Sequence, residues 1–396
     1  MNVGFFIMKS GVEPGRKLVW LKITLALALG PGFILSWRLW ISSRQFPLVP
    51  VITNLPPVPF PLDYIWFGLL LGLLLAICIR AQPRKLVIAF LVLAALLSLL
   101  DQMRWQPWFY QYFFMLAALG FYAWKKPEAK NSRVALDCCA LIIVCAYFWS
   151  GVQKLNASFI DEVWPDMTAP LLRFLPGGLK GLPPVTGLII PLLEICIALG
   201  LLTRRFRNAS VILAIASHAV ILALLIPTGE NNVVWPWNIA MGSLVLILFW
   251  QNKESTPRRV VVPKGAFHVV VLILFGILPL FSLIGLWDSY LSSALYSGNN
   301  YRGVIYLNRP VMDRLPDNLP QYVWTNTEPM FLDTTKWAYG ELNVPVYPEP
   351  RVFRRITQQV CTFAEHPADV QLGLRGRPNV LTGFRVTSYY DCSHLH

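Results

Sequence analysis

Three ionisable residues lie within or at the end of long apolar stretches of the sequence. Lys154 ends the run YFWSGVQK, Glu194 lies in PLLEICIALGLL, and His218 lies in ILAIASHAVILALL. Ionisable groups inside membrane segments are rare, face the protein interior, and often mark functional sites. Amines, carboxylates and imidazoles are also groups that transfer protons in catalysis. These three residues are therefore the candidate catalytic groups.

Two interpretations of Lys154 stay open. On a helix, Tyr147, Gly151 and Lys154 share one face, and the glycine allows a neighbouring backbone or a ligand to approach closely. Lys154 could be an anchor that reaches the headgroups of the outer leaflet. Alternatively, it could be held neutral in an apolar cavity, because burial disfavours the charged amine, and then act as a base.

Glu194 and His218 lie on consecutive apolar segments joined by the short turn TRRFRN. The two segments are therefore antiparallel neighbours, and each residue is a similar distance from the turn. We expect the two side chains at similar depth, where a contact, direct or through water, is feasible. They could form a buried pair that fixes helix packing, or a pair that transfers protons or binds a ligand.

A second group of candidate residues lies in the stretch GENNVVWPWN, where Trp235 and Trp237 flank a proline and Asn238 follows. Tryptophans at such positions are typical of the aromatic belt at a membrane surface. They could also line a ligand site. Together with Tyr147 and Gly151, these three residues are the candidates for lining a ligand cavity.

The composition indicates the element type that positions these residues. The chain is 55% hydrophobic and 14% charged, whereas a soluble domain has about 45–50% apolar and about 25% charged residues. The apolar residues form runs long enough to cross a bilayer core of about 30 Å. We therefore predict an all-α polytopic membrane bundle. About nine transmembrane helices are expected, near 18–37, 63–80, 85–101, 107–124, 134–154, 185–203, 208–227, 233–250 and 267–287.

The distribution of Lys and Arg predicts the orientation. With the N-terminus in the cytoplasm, each cytoplasmic segment carries at least three basic residues, and the opposite loop 228–232 carries none. Positive residues concentrate on the cytoplasmic side, so the net charge of +13 requires no nucleic-acid partner. The first apolar run lacks a small-residue cleavage site and is expected to be a retained helix.

The prediction divides the chain into a transmembrane domain, 1–287, and a more polar C-terminal domain, 288–396. Short strand-like runs predict that the second is a small α+β domain on the extracytoplasmic side. Cys361 and Cys392 are its two cysteines and are candidates for a disulfide in an oxidising compartment. The sequence shows no spacing typical of metal ligands, so no metal site is predicted.

The segments YFWSGVQKLNA and LLEICIALGLLTRR, followed by a histidine in the next span, resemble a known family. This order is similar to the membrane domain of vitamin K-dependent gamma-glutamyl carboxylase and its bacterial relatives, the horizontally transferred transmembrane (HTTM) proteins. The second segment also resembles DoxX/MauE-type membrane proteins. The resemblance covers about 134–250.

The resemblance implies a role for one residue. Lys154 matches the lysine that acts as the base in oxygenation of vitamin K hydroquinone. A quinone or a vitamin K-like hydroquinone is therefore the cosubstrate that the resemblance suggests, although the residues themselves identify no cofactor. The carboxylase has a much larger lumenal portion, so the resemblance does not extend to glutamate carboxylation.

Two functions remain open from the sequence. One is a membrane-embedded enzyme that uses a quinone-like, lipid-soluble cosubstrate, with Lys154 as the base and with Glu194 and His218 tuning or relaying protons. The other is a non-enzymatic accessory or maturation protein that anchors an extracytoplasmic partner through 288–396. Both predict an integral membrane protein in the bilayer, in a bacterial inner membrane with a periplasmic C-terminal domain. The endoplasmic reticulum would give the same orientation.

Overall fold

Most of the chain forms helices. The computed structural model describes residues 14–53, 55–124, 129–172, 183–229, 231–252 and 256–395. The α-helices that precede the sheet are α1 (Pro14–Leu35), α2 (Trp37–Trp40), α3 (Leu62–Ile79), α4 (Arg84–Leu100), α5 (Pro107–Ala118), α6 (Ala129–Lys154), α7 (Trp164–Leu172), α8 (Ile189–Leu202), α9 (Arg207–Leu225), α10 (Val234–Phe249), α11 (Pro257–Val261), α12 (Ala266–Val271) and α13 (Leu278–Ser282). A π-helical turn extends α5 (Leu119–Ala123), another precedes α7 (Phe159–Val163), a third joins α12 to α13 (Leu272–Ile277), and a 3₁₀ turn precedes α8 (Pro184–Leu188).

A helix lies at each of the nine segments predicted to span the membrane. Among the described residues, five stretches are long and apolar enough to cross a bilayer: Pro14–Leu35, Leu62–Ile79, Lys130–Lys154, Pro184–Leu202 and Arg207–Leu225. Val234–Phe249 and Ala266–Ser282 are shorter apolar helices, and α4 has 17 residues. The structure therefore has the helical character of an integral membrane protein.

Helix α6 is the central element of the bundle. In the apolar stretch of α6, 72% of the residues are buried inside the protein, compared with 22% in α3 and 28% in α9. Its closest neighbour is α8. A Cβ on Gly151 would lie 2.6 Å from the Pro191 carbonyl oxygen and 2.7 Å from Ile195 Cγ1, so only glycine allows this approach of the two helices.

A five-stranded antiparallel sheet lies in the predicted C-terminal domain. The strands are β1 (Arg302–Leu307), β2 (Val323–Trp324), β3 (Phe331–Leu332), β4 (Val370–Arg375) and β5 (Thr387–Asp391), in the order β2-β3-β1-β4-β5. Three helices accompany the sheet: α14 (Arg309–Met312), α15 (Thr334–Leu342) and α16 (Pro350–Cys361). Ile305 pairs with Leu372, and both are buried on the face that packs against α16. A Cβ on Gly303, on that face, would lie 2.3 Å from Phe353 of α16.

The five strands and helices α14–α16, here called the sheet domain, pack against one end of the helical bundle. Glu341 accepts hydrogen bonds from the backbone nitrogens of Gln45 and Phe46, both at 2.7 Å. Asn343 donates to the Leu35 carbonyl, at the end of α1, at 2.9 Å. It also donates to Asn232, just before α10, at 2.7 Å. These contacts fix the sheet domain above the helix ends on this side.

Candidate functional site

Lys154 is the last residue of α6, and its amine points back into the bundle. Nζ lies 2.8 Å and 3.1 Å from the two carboxylate oxygens of Glu194 on α8. It also donates to Ser150 Oγ at 2.5 Å and to the Ser150 carbonyl at 3.3 Å. The side chains of Lys154 and Glu194 are 9% and 13% exposed. Lys154 is therefore held by protein groups and does not extend to headgroups as an anchor would.

The short distance between α6 and α8 makes this ion pair possible. Gly151 lies one turn before Lys154 and Ile195 one residue after Glu194, and these two residues are in contact. The space beside Gly151 is therefore filled by α8 and does not hold a ligand. Taking both charges out of water is costly, but removing one partner alone leaves an unpaired buried charge. The amine and the carboxylate can also exchange a proton along their hydrogen bond.

His218 on α9 is held between two side chains. Its Nε2 lies 2.6 Å from the Tyr147 hydroxyl, and its Nδ1 lies 2.8 Å from Asn238 Oδ1. Asn238 Nδ2 donates to the Val234 carbonyl at 2.8 Å, so the amide oxygen faces the imidazole. Nδ1 must then carry the proton, and in the neutral ring Nε2 accepts the hydrogen bond from Tyr147.

The sequence made a contact between Glu194 and His218 feasible, and the structure gives each residue a different hydrogen-bond partner. Glu194 pairs with Lys154, and His218 pairs with Tyr147 and Asn238. The reason is the central helix, which presents Tyr147 and Lys154 to the two neighbouring helices. These two residues are seven apart on one face of α6, or about 10 Å along the axis at 1.5 Å per residue. The two sets of hydrogen bonds therefore lie along one face of α6 and form one polar row.

The two predicted tryptophans lie apart from this row. Trp237 Nε1 donates to Gln111 on α5 at 3.2 Å, and Gln111 in turn contacts the Met241 sulfur. Trp235 Nε1 is buried without a hydrogen-bond partner in the part of the chain that the structure describes. Of the three candidates from this stretch, only Asn238 contacts the imidazole.

A polar layer covers the end of α6 that carries Lys154. Gln153, next to Lys154, donates to Ser282 Oγ at 2.9 Å and accepts from Asn299 at 2.8 Å. Asn156 donates to the Ser297 carbonyl at 2.8 Å. The sequence analysis missed these residues, because Asn299 and Ser297 are distant in sequence. Ser150 was also missed, although its spacing of four residues from Lys154 is a helical contact distance.

The predicted disulfide candidates are bonded to each other: Cys361 and Cys392 form a disulfide that joins the end of α16 to the residue after β5. The other five cysteines, at 78, 138, 139, 145 and 196, are free. The described residues contain no group of three or more His, Cys, Asp or Glu side chains that could hold a metal ion.

Comparison of the chain with protein-family models, with curated proteins and with solved structures gave no match.

Proposed function

We propose that this protein is a membrane-embedded enzyme that acts on a quinone-like, lipid-soluble cosubstrate, with Lys154 as the base. The observation that carries this proposal is the buried pair of Lys154 and Glu194 at 2.8 Å. An amine held beside a carboxylate near the end of the central helix can accept a proton from an apolar substrate that arrives through the lipid. The resemblance of the YFWSGVQKL segment to the carboxylase family suggests a hydroquinone as that substrate.

The proposed proton transfers balance within this site. Lys154 first passes a proton to Glu194, which leaves a neutral amine beside a neutral carboxylic acid. This exchange removes two buried charges, and charges in a dry site carry a large desolvation cost. The neutral amine then takes the hydroxyl proton of the bound hydroquinone and becomes an ammonium ion again. The hydroquinone anion then transfers two electrons and its remaining hydroxyl proton to molecular oxygen, which gives the quinone and hydroperoxide.

Tyr147, His218 and Asn238 act as positioning residues in this proposal. The hydrogen bond from His218 to Asn238 fixes the tautomer, and Tyr147 then has a defined hydroxyl direction. A fixed polar row directs an apolar substrate more specifically than an apolar wall does.

Nine membrane crossings are part of the same proposal. If the chain crosses the membrane nine times, every second connection between helices lies on the same side. Residues at such connections hydrogen-bond to the sheet domain or to the segment that leads into it: Leu35, Gln45, Gln102, Gln153 and Asn232. Basic residues contact the chain at the opposite ends: Lys22 with Arg80, Arg84 with Gly120, Arg207 with Asn252, and Lys264 with Asp137. We propose that this basic end is cytoplasmic, in a bacterial inner membrane, with the sheet domain in the periplasm.

The test uses the purified protein in proteoliposomes supplied with a short-chain naphthohydroquinone. We expect oxygen uptake above that of protein-free liposomes, with oxidised product measured by chromatography. Lys154→Arg keeps a cation beside Glu194 but provides no neutral amine, so the rate should fall to background while the melting temperature is maintained. Ser243→Ala, on α10, where the hydroxyl donates to the Ile239 carbonyl of the same helix, is the control. An inactive wild type, or an unaffected Lys154→Arg variant, would refute the enzyme proposal.

A specific observation favours a second candidate function, a membrane accessory protein that anchors a partner. The sheet face opposite α16 carries a row of aromatic side chains. Trp324 stacks on Phe331 at 6.0 Å between ring centroids, and Phe331 contacts Tyr306. Tyr306 contacts Tyr389, and Trp324 and Tyr389 are 42% and 57% exposed. Exposed aromatic groups of this kind are enriched at protein interfaces.

A double-mutant cycle distinguishes the two functions at the ion pair. Each single variant, Lys154→Met or Glu194→Gln, leaves one buried charge unpaired and should lower the stability by about 3 kcal/mol. The double variant should recover most of this loss. If the protein is an accessory protein, the stable double variant keeps its full function in cells. The surface variant Trp324→Ser with Tyr389→Ser then loses that function. In the enzyme function, the double variant is stable and inactive, and the surface variant stays active.

A further inference from the structure

A loop of the sheet domain exposes an unusual run of apolar side chains. The loop joins β4 to β5, over residues 376–386, and reads GRPNVLTGFRV. Leu381 is 87% exposed, Phe384 is 69% exposed, Val386 is 66% exposed and Val380 is 54% exposed. The tip from Val380 to Phe384 contains no charged residue. An exposed apolar patch of this kind typically marks a surface that contacts a membrane or another protein.

The loop has a defined backbone structure. The Gly376 nitrogen donates to the Val386 carbonyl at 2.8 Å, and the Asn379 nitrogen donates to the Phe384 carbonyl at 2.8 Å. The Asn379 side chain accepts from the Leu381 nitrogen at 3.0 Å, and Gly383 has a φ of +70°, which favours glycine. Leu381 and Phe384 are therefore held outward by a hydrogen-bonded turn.

The loop is attached to the end of the central membrane helix. The Ala157 nitrogen, three residues after Lys154, donates to the Val380 carbonyl at 2.8 Å. Arg385 donates to Ser158 Oγ at 3.1 Å and to the Asn300 carbonyl at 2.6 Å. Its charged group is therefore turned inward, away from the apolar tip. These bonds fix the loop at the height where α6 ends.

We propose that the tip of this loop inserts into the lipid leaflet on the side of the sheet domain. The hydrogen bond to Ala157 places the tip at the depth where α6, a helix long enough to cross a membrane, ends. Leu155, two residues before Ala157, is also exposed. A loop at this height meets the boundary between headgroups and acyl chains, where apolar and aromatic side chains are stabilised. The inference requires only that α6 crosses the membrane and is independent of catalysis by Lys154.

The test measures the depth of a fluorescent label on the loop. Leu381→Cys is made in a full-length chain whose five free cysteines are replaced, with the disulfide retained, and is labelled with a nitrobenzoxadiazole group. The protein is reconstituted in phosphatidylethanolamine and phosphatidylglycerol vesicles, with or without lipids spin-labelled near the headgroup end of the acyl chain. Thr327→Cys in the same background, on the exposed polar turn between β2 and β3, is the aqueous control. A separate variant that keeps Cys196, exposed on α8, as its one free cysteine is the membrane control.

We expect the Leu381 label to be quenched by the lipid spin label several-fold more strongly than the Thr327 label, and to be protected from aqueous iodide. Phe384→Cys provides a second position with the same expectation. If both loop labels behave like Thr327, with quenching by iodide and none by lipid, the loop lies in water and the proposal is wrong. A loop that docks on another protein would give that same result in these vesicles.

Discussion

The Tyr147 hydroxyl lies 2.6 Å from His218 Nε2, and it links the central helix to α9 inside the apolar bundle. Because Asn238 Oδ1 accepts a hydrogen bond from Nδ1, the imidazole is oriented from both sides. A histidine with two side-chain partners from two other helices ties three elements together at one point.

Removal of the Tyr147 hydroxyl should therefore loosen this junction. Tyr147→Phe keeps the ring but leaves Nε2 without its donor. We expect a loss of about 1–2 kcal/mol, the scale of hydrogen bonds between membrane helices in model peptides. The melting temperature of the purified protein in detergent measures it. Ser243→Ala, whose hydroxyl bonds only its own helix, should have little effect. Equal stability of both variants and the wild type would contradict this role.

Some of this site could be predicted from the sequence, because helical spacing is local. The shared face of Tyr147, Gly151 and Lys154 follows from the residue numbers alone, and an ionisable residue in an apolar run is visible directly. The partner of each group depends on which helices pack together. The sequence suggested that Glu194 could contact His218, since their segments are consecutive. In the structure, each of the two side chains instead has a hydrogen-bond partner on α6.

The fold shows the same division. Runs of apolar residues located helices at all nine predicted segments to within a few residues, because hydrophobicity over such lengths is a local property. The contacts of the sheet domain could not be predicted. The bond from Glu341 to the backbone at Gln45 and the one from Asn299 to Gln153 join residues far apart in sequence, and no periodicity records such pairs.

The approach of α6 to α8 predicts a strong effect at Gly151. Gly151→Ala introduces a Cβ that would lie 2.6 Å from the Pro191 carbonyl oxygen. The two helices must separate, which we expect to lower the stability by about 1–3 kcal/mol, as overpacking does. The Lys154–Glu194 pair should be weakened at the same time. Thermal unfolding in detergent measures the change.

Gly68→Ala is the matched control for that substitution. Gly68 is also inside an apolar helix, but a Cβ there meets nothing within 4 Å. Alanine is preferred over glycine in helices by roughly 0.5–1 kcal/mol, so this variant should be as stable as the wild type or more so. If both alanine variants were tolerated equally, the close contact at Gly151 would be disproved.

The disulfide between Cys361 and Cys392 gives a direct count. Of the seven cysteines, five are free, so denatured, unreduced protein from an oxidising compartment should show five reactive thiols and reduced protein seven. The bond closes a separation of 31 residues, and a loop of this size contributes about 3–4 kcal/mol in the chain-entropy model. Cys361→Ser with Cys392→Ser should lower the melting temperature accordingly. Seven thiols without reduction would show that the bond does not form.

Glu349 should make the stability of the protein depend on pH. This carboxyl is 5% exposed, and burial raises its pKa above the ordinary value of 4.5, although Ser289 and Arg377 partly oppose the shift. Between pH 4.5 and the raised pKa of the folded state, the folded protein therefore holds a proton on Glu349 that the unfolded chain has released. Stability from this group is fully present below about pH 4.5 and is lost as the pH rises through the folded-state pKa. Glu349→Gln should remove this dependence, while Asp313→Asn, in an exposed ion pair with Arg309, should preserve it. Thermal unfolding from acid to neutral pH provides the comparison, and parallel curves for wild type and Glu349→Gln would exclude Glu349 as the cause.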